Sequence, residues 1–318
     1  MSREKCVKSG QTIGLPCRLF CVLNRISAAT MVVGAWLPIA HGQPARPMIH
    51  GGLPSVSADG SRIAFISNRG GADDVYVIAA DGTGEIQLTH TAEQKSPPAW
   101  TAIGQQVLFS VSVKETSHLY SVDPEGKNPR EIGSVTGRSP ALSPDGKRIV
   151  YSVDPYPVAR LMVAELDGTH LLQLTDGSSP VWLGRWSPDG KQIAFTWREK
   201  SGASDVWVMN ADGTERRQIS HIPAAEGHVE WPAWSPDGRR FAVQVGRYSK
   251  QENTAHIWIV DAAAGTARKL AVQDQPYLDE TPSWFPDGKR IAFQSNRTGR
   301  VEIWIMNADG SAPRQVTK

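Results

Sequence analysis

The fold is decided by residues 185–195, which read R-W-S-P-D-G-K-Q-I-A-F. A short apolar run ends in a tight turn, and a second, alternating apolar run follows it. Ser187 suits the first position of a type I turn, Pro188 presets the backbone for the second, and Gly190 accepts a left-handed conformation that strains residues with a Cβ. The stretch therefore predicts a β-hairpin.

Two more predicted strands complete a unit that recurs along the chain. Residues 205–213 read D-V-W-V-M-N-A-D-G and end in another Asp-Gly turn, and residues 218–220 form the fourth strand. Equivalent hairpin turns start at residues 57, 101, 143, 187, 235 and 285, a period of 42 to 50 residues. Four strands at this period are typical of a propeller blade. The chain is predicted to be all-β, a six-bladed β-propeller of four-stranded antiparallel blades.

Each copy supplies its own first and fourth strands, so no strand is left to be shared across the termini. Closure of the ring is therefore expected to depend on side-chain packing between the first and sixth blades. A short strand in residues 44–49 is the alternative clasp.

Aromatic residues recur in the third strands, with β-branched neighbours on both sides. Strands that are apolar on both faces fit a sheet between two neighbouring sheets. We expect Trp207, Trp258 and Trp304 to be core residues, with truncation to Ala costing about 3–5 kcal/mol each.

The repeat resembles a known family. Over residues 53–318 the chain is similar to the TolB-type, WD-like propeller repeat. The similarity lies in the pattern W-S-P-D-G-K-x-I-A-F, followed by D-x-W-V-M-N-A-D-G-T and then x-Q-L-T. The resemblance implies the propeller fold and is weak for function, because one propeller hosts many activities. The Tol translocation protein of this family carries an α/β domain before its propeller, and no such domain is expected in the residues before Leu53.

The first 42 residues differ from the repeats and indicate a signal peptide. A basic lead-in precedes a mostly apolar run of about 14 residues, and small residues occupy positions −3 and −1 of a cleavage site after Gly42. That run is short of the roughly 20 residues needed to span a bilayer, so no stable membrane span is expected after cleavage. Residues 43–52 are interpreted as a linker. The alternative is a disordered or mis-started N-terminus.

Composition narrows the classes of partner. Cys6, Cys17 and Cys21 all lie in the leader, so the mature chain would contain no thiol. Without residues 1–42 the chain has 29 basic and 31 acidic residues. A nearly neutral body without a basic stripe argues against a nucleic-acid partner. We expect a periplasmic or secreted monomer.

No catalytic motif is found. The chain contains no G-x-S-x-G, no H-E-x-x-H, no P-loop and no Gly-rich dinucleotide turn. His221 and His228 lie near Glu226 and Glu230, but their spacing matches no metal-ligand pattern, and a solvated loop is the preferred interpretation. We therefore predict no catalytic residue, no metal site, no cofactor and no enzymatic activity.

The turn aspartates have a structural interpretation. They are Asp145, Asp189, Asp237 and Asp287 in the hairpin turns and Asp81, Asp212 and Asp309 before turn glycines. Short acidic side chains accept hydrogen bonds from nearby backbone amides in such turns. Calcium binding is the alternative, but carboxylates tens of residues apart would not converge.

The best candidate site is a mouth of the central channel. Glu230 and Glu280 stand four residues before the strand-end Trp of their copies, with Asp279 beside the latter. Other copies place Arg138 and Ser96, with Lys95 beside it, at this position. Adjacent blades would bring these carboxylates together, where they could receive a cation or a Lys/Arg-bearing peptide. The alternative is a solvated polar rim.

These observations favour a non-enzymatic binding scaffold that engages a protein or peptide of the cell envelope. One alternative is a metal-assisted propeller enzyme, a lyase or lactonase acting on a sugar acid. Another is an accessory module for a separately encoded hydrolase or sensor.

Overall fold

The repeated units fold into separate antiparallel sheets arranged as a propeller. The computed structural model describes residues 49–101, 105–113, 116–153, 159–199, 202–249, 252–270 and 277–318. The predicted leader at residues 1–42 and the linker up to residue 48 lie outside this part of the chain. The described residues form six sheets, each built from consecutive strands, which confirms the predicted six-bladed propeller.

The first three blades contain β1 to β13. Blade 1 consists of β1 (Gly52–Val56), β2 (Arg62–Ser67), β3 (Asp74–Ala79) and β4 (Ile86–Gln87). Blade 2 consists of β5 (Gln94–Lys95), β6 (Ala99–Trp100), β7 (Val107–Val113), β8 (Thr116–Val122) and β9 (Arg130–Thr136). Blade 3 consists of β10 (Arg138–Leu142), β11 (Arg148–Val153), β12 (Arg160–Glu165) and β13 (Leu172–Gln173).

The last three blades contain β14 to β25. Blade 4 consists of β14 (Val181–Trp186), β15 (Gln192–Arg198), β16 (Ser204–Asn210) and β17 (Arg217–Gln218). Blade 5 consists of β18 (His228–Trp234), β19 (Arg240–Tyr248), β20 (Asn253–Asp261) and β21 (Ala267–Lys269). Blade 6 consists of β22 (Asp279–Trp284), β23 (Arg290–Ser295), β24 (Glu302–Asn307) and β25 (Arg314–Gln315). A short 3-10 turn, Ala224–Glu226, precedes β18. The described part of the chain contains no helix that is long and apolar enough to cross a membrane.

The hairpin turns are held by the hydrogen bonds that the motif predicts. Ser187 Oγ donates to Asp189 Oδ1 at 2.6 Å, and the Lys191 amide donates to the same oxygen at 3.1 Å. The Gln192 amide donates to Ser187 Oγ at 2.9 Å. The hydrogen bonds from Ser187 and Lys191 lower the pKa of Asp189. The structural interpretation of the turn aspartates is thereby confirmed for this turn.

The innermost strand of five blades contains a left-handed, non-glycine residue at the same place. These residues are Leu53, Ser139, Leu183, Trp231 and Thr281, with φ between 52° and 63°. The pairing register with the second strand shifts at this residue, which makes it a bulge. Blade 2 has Pro97 at the equivalent place, and its ring fixes φ near −65°. In that blade the innermost strand is divided into β5 and β6.

Neighbouring blades are joined by the indole of the Trp that precedes the turn. Trp186 Nε1 donates to the carbonyl of Ala141 in the preceding blade at 3.1 Å. Equivalent bonds are made by Trp100 to Ser55 at 2.9 Å, Trp234 to Arg185 at 3.3 Å and Trp284 to Ala233 at 3.2 Å.

Among the described residues, no strand is exchanged at the seam between blades 6 and 1. Ile49 forms a parallel bridge with Val301, and the two following amides donate to the Val301 carbonyl at 3.1 and 3.0 Å. Leu278 and Ala255 form the equivalent bridge between blades 5 and 6. Residues 44–48 of the alternative clasp lie outside the described part of the chain.

Side chains also pack across this seam, as predicted. One buried cluster joins the first and sixth blades and contains Ile63, Phe65, Tyr76, Ile78, Phe285, Ala292, Ile303, Ile305 and Val316. The same type of cluster lies between other neighbouring blades. The core is therefore divided into layers between sheets.

The predicted burial of Trp207, Trp258 and Trp304 is wrong in degree. All three are only half-buried and pack against the edges of the core clusters. Their strand lies third from the channel, where the blades diverge and leave part of a large ring in contact with solvent. Truncation should therefore cost less than removal of a fully buried Trp.

We predict that the inter-blade indole bond can be measured by substitution. Trp186→Phe should lower the free energy of unfolding by about 1–2 kcal/mol more than Trp304→Phe, because it leaves the buried Ala141 carbonyl without its donor. Trp304 is the matched control, since its Nε1 is buried and has no hydrogen-bond partner in the described part of the chain. Urea unfolding of both variants tests this, and equal losses would contradict a role for the bond.

Candidate functional site

The innermost strands bring one residue from each blade to the same level of the channel, directly before the bulge. These residues are Gly52, Ser96, Arg138, Trp182, Glu230 and Glu280. Their pairing with the second strands confirms the equivalence that the repeat predicts. We call this level the channel mouth.

Glu280 is held by donors from two blades. Only 2% of its surface is exposed. Gln294 Nε2 donates to Oε2 at 2.8 Å, and the Tyr248 hydroxyl donates to Oε1 at 3.1 Å. Burial, opposed by these two hydrogen bonds and assisted by the charges of Glu230 and Asp279, raises the pKa of Glu280 to about 7. Burial and Glu280 likewise raise the pKa of Tyr248 well above its usual value.

Two glutamines connect this carboxylate to the bulges. Gln294 Oε1 accepts the amide of Leu53 at 2.9 Å, and Gln244 Oε1 accepts the amide of Thr281 at 3.1 Å. Each glutamine belongs to the blade before the bulge that it contacts. Because the oxygen of each amide accepts from a bulge, its nitrogen is free to donate elsewhere. Gln294 Nε2 donates to Glu280, whereas Gln244 Nε2 donates to the Tyr248 hydroxyl and lies 3.5 Å from Glu280 Oε1. The backbone thus fixes the donors around Glu280.

Glu230 is equally buried but has a different partner. It is 1% exposed, and Arg198 Nη2 of blade 4 lies 3.4 Å from its Oε1. The Arg198 guanidinium also lies over the ring of Trp182, 5.2 Å from its centroid. Burial raises the pKa of Glu230 to about 7, and Arg198 opposes that shift.

Asp279 lies on the other face of the same strand and belongs to an ion pair. Arg297 Nη2 contacts both of its carboxylate oxygens at 2.8 Å. Arg297 Nε also donates to Ser295 Oγ at 3.0 Å, and the guanidinium lies 4.7 Å from the ring centroid of Trp304. Glu280 and Asp279 are successive residues of a strand, so their side chains point to opposite faces. The structure therefore brings Glu230 and Glu280 towards one site and engages Asp279 elsewhere.

The other residues that the sequence placed here have structural partners. Lys95 Nζ forms a buried ion pair with Asp74 Oδ1 of blade 1 at 2.9 Å. Arg138 Nε donates to Ser117 Oγ at 3.2 Å. His228 lies in β18, where burial and the charge of Arg198 lower its pKa.

The alternative of a solvated rim is wrong for Glu230 and Glu280. Both carboxylates are almost fully buried, whereas a rim residue would be exposed. The sequence reasoning did not identify Tyr248, Gln244 or Gln294. A comparison of the second strands would have found the glutamines, since the equivalent residues are Ile66, Ser110, Ser152 and Thr196.

The mouth can hold a cation or a proton. A carboxylate with a pKa near neutrality is partly ionised at pH 7, and a bound ammonium or guanidinium group would stabilise its charged form. The Tyr248–Glu280 hydrogen bond also connects two groups that exchange protons in general acid–base chemistry. Within the described residues, no group of three or more His, Cys, Asp or Glu side chains is arranged to hold a metal ion.

The fold and the mouth define a closed propeller with an acidic site in its channel. Residues 152–318 match the family model described as TolB beta propeller domain. The chain belongs to the TolB beta-propeller family.

Curated relatives of the chain differ in activity. The Tol-Pal system protein TolB of Alcanivorax borkumensis is 31% identical over 97 residues, which are 30% of this chain and 21% of that protein. Dipeptidyl-peptidase 5 of Porphyromonas gingivalis is 33% identical over 249 residues, 60% of this chain and 36% of that protein. The chain thus spans 36% or less of the length of these two relatives.

Solved structures agree on the fold. TolB from Acinetobacter baumannii has a TM-score of 0.67 at 19% identity, covering 80% of this chain and 63% of that one. An oligogalacturonate lyase in complex with manganese has a TM-score of 0.57 at 17% identity, covering 86% of this chain and 77% of that one. The same fold therefore occurs in a Tol protein and in an enzyme.

We predict a loss of stability with rising pH that depends on the mouth carboxylates. Burial raises the pKa of Glu230 and of Glu280 from 4.5 to about 7, so the folded chain retains protons that the unfolded chain has released. Between these pH values stability should fall as pH rises, by up to about 3 kcal/mol for each carboxylate. The loss is complete above the folded-state pKa.

Urea unfolding at about pH 5 and about pH 8 tests this on the parent and on Glu230→Gln/Glu280→Gln. The variant should lose much less stability over this interval. His228 is retained in both proteins, so its own titration cancels in the comparison. Parallel pH profiles would contradict the assignment.

Proposed function

We propose that this protein is an exported, non-enzymatic binding scaffold that uses the channel mouth to engage a cationic group of a cell-envelope protein or peptide. The observation that carries the proposal is the burial of Glu230 and Glu280 with pKa values of about 7. Burying two carboxylates in adjacent blades costs stability. A cation bound between them would compensate for part of that cost.

Membership of the TolB beta-propeller family supports the envelope context. The A. borkumensis relative is described as a Tol-Pal system protein, and the sequence of the first 42 residues fits export. The proposal therefore places the protein in the periplasm or outside the cell, as a monomer. A Lys or Arg side chain, or the N-terminal amine of a peptide, has the charge that the mouth would accept.

The second candidate is an enzyme that uses the same channel. The hydrogen bond between Tyr248 and Glu280 favours it, because a tyrosine hydroxyl and a carboxyl are both groups that serve in general acid–base catalysis. The structural similarity to an oligogalacturonate lyase in complex with manganese suggests a sugar-acid substrate. An accessory role beside a separately encoded hydrolase is consistent with the similarity to dipeptidyl-peptidase 5.

We predict that removal of the two mouth charges abolishes partner binding. The tagged parent protein, Glu230→Gln/Glu280→Gln and the control Glu226→Gln/Glu252→Gln would be exported and cross-linked in envelope preparations. The control removes two exposed carboxylates that pair with Arg247, so it removes the same number of carboxylates outside the mouth. A partner recovered by the parent and the control, and reduced at least tenfold in the mouth variant, is expected.

Two results would contradict the proposal. One is a partner recovered equally well by the mouth variant, and the other is the absence of any reproducible partner. Incubation of the parent with oligogalacturonate and Mn²⁺ tests the enzyme, because elimination creates an unsaturated product that absorbs ultraviolet light. Turnover by the parent that is lost in Tyr248→Phe would contradict the scaffold and support a lyase.

A further inference from the structure

The channel has a second level, three residues beyond the mouth along each innermost strand. The equivalent residues there are Ser55, Ala99, Ala141, Arg185, Ala233 and Ser283. Five of the six are small, and all except Ala141 keep intermediate exposure, as expected for the wall of a water-filled channel. Arg185 is the one charged residue at this level.

Arg185 has no acidic partner among the residues that the structure describes. The one hydrogen bond that its guanidinium makes there runs from Nη1 to the carbonyl of the adjacent Gly184, at 2.9 Å. The protein around it excludes enough water that burial lowers the pKa of Arg185 to about 10. Arg185 nevertheless keeps intermediate exposure. Surrounding protein that limits water without excluding it is expected in an enclosed channel. The guanidinium has five N–H donors, and most of them remain available.

At the level of the mouth, three hydroxyls lack hydrogen-bond partners among the described residues. Ser110 Oγ, Ser152 Oγ and Thr196 Oγ1 are buried and make no hydrogen bond within the described part of the chain. They stand in the second strands of blades 2, 3 and 4, at the position where blades 5 and 6 carry Gln244 and Gln294. Buried polar groups without partners are unusual and need explanation, for example by a bound molecule.

We propose that Arg185 binds a carboxylate in the channel, so that the channel accepts a dipolar ligand with its carboxylate at Arg185 and its cationic group at Glu230 and Glu280. The second half of this statement rests on the proposed function. The carboxylate half rests on Arg185 alone and can be tested separately.

Charge selects a carboxylate over a phosphate. One guanidinium matches a single carboxylate with two parallel hydrogen bonds. A dianionic phosphate would bring more negative charge than Arg185 balances, and it would lie near the carboxylates of Glu230 and Glu280. A ligand whose cation and carboxylate are close in space avoids this repulsion. The end of a peptide with a C-terminal lysine has this chemistry.

The geometry suits a ligand end of that size. The two levels are three residues apart on a strand, which is roughly 10 Å at 3.3 Å per residue and less across a bulge. The long side chains of Arg185 and of the two glutamates can shorten that span further. The ammonium and carboxylate of one lysine residue can therefore contact both levels at once.

The test is calorimetric titration of the full-length protein with N-acetyl-glycyl-lysine, with its C-terminal amide and with acetate. We expect the parent to bind the free acid at least tenfold more tightly than the amide. Arg185→Ala should bind the two forms equally, while Arg185→Lys should recover only part of the preference, because it keeps the charge and loses the fork. The control Arg239→Ala removes an exposed turn arginine and should behave like the parent.

The Arg185→Ala variant is expected to fold, because Ala already occupies this level in blades 2, 3 and 5. Its melting temperature should equal or exceed that of the parent, since a partly desolvated charge without an acidic partner among the described residues is removed. The mouth variant Glu230→Gln/Glu280→Gln should weaken binding of the acid and the amide by the same factor.

The other possible results of the titration bear on the carboxylate site at Arg185 or on the dipolar ligand. Equal binding of acid and amide by the parent, or binding of neither, overturns the carboxylate site, and the envelope cross-linking still judges the proposed function. Acetate that binds as tightly as the peptide, with dependence on Arg185, supports the carboxylate site and overturns the dipolar ligand. A preference for the acid that persists in Arg185→Ala places the carboxylate elsewhere and overturns the proposal.

Discussion

The constraint on which the channel depends is a left-handed residue in the middle of the innermost strand of five of the six blades. A non-glycine residue at positive φ is strained, so the surrounding structure must stabilise it. At Leu53 and Thr281 part of that stabilisation comes from glutamine side chains that accept the bulge amides. The opposite ends of those glutamines surround Glu280. Backbone strain and the chemistry of the mouth are therefore parts of one network. The network is absent between blades 1 and 2, where Pro97 has no amide hydrogen to donate and Ile66 stands in place of the glutamine.

The channel is chemically asymmetric although its blades are repeats. Blades 5 and 6 contribute buried carboxylates, whereas blades 3 and 4 contribute Arg138 and Arg185 to the innermost strands. The turns, the inter-blade indoles and the layered core vary little from copy to copy, because each performs the same packing task. Residues that line the channel perform no shared packing task, and there the copies diverge. Departures from the repeat are thus the places where function is to be sought.

The fold could be predicted almost completely from the turn motif, because Ser187, Pro188, Asp189 and Gly190 determine local geometry through short-range hydrogen bonds. The position of Glu230 and Glu280 at the mouth could be predicted from their place in the repeat, four residues before the strand-end Trp. The burial of both carboxylates and the engagement of Asp279 by Arg297 depend on side chains from other strands and could not be read from spacing. The degree of burial of Trp207 was missed because a strand pattern does not show how far neighbouring sheets diverge. Arg185 could have been noticed in an alignment of the repeats, since the equivalent residue of every other blade is alanine or serine.

The seam between the sixth and first blades has a consequence for how such rings arise. Ile49 and Val301 close it with the same parallel bridge that Leu278 and Ala255 make inside the chain. When the closing junction of a ring matches an internal junction, the first blade has no contact that another blade could not make in its place. Circular permutation between two blades would preserve every type of junction, and duplication of one repeat would add a blade without inventing a new closure. The topology therefore leaves blade number and starting point open to evolutionary change, while the contacts within each junction are retained.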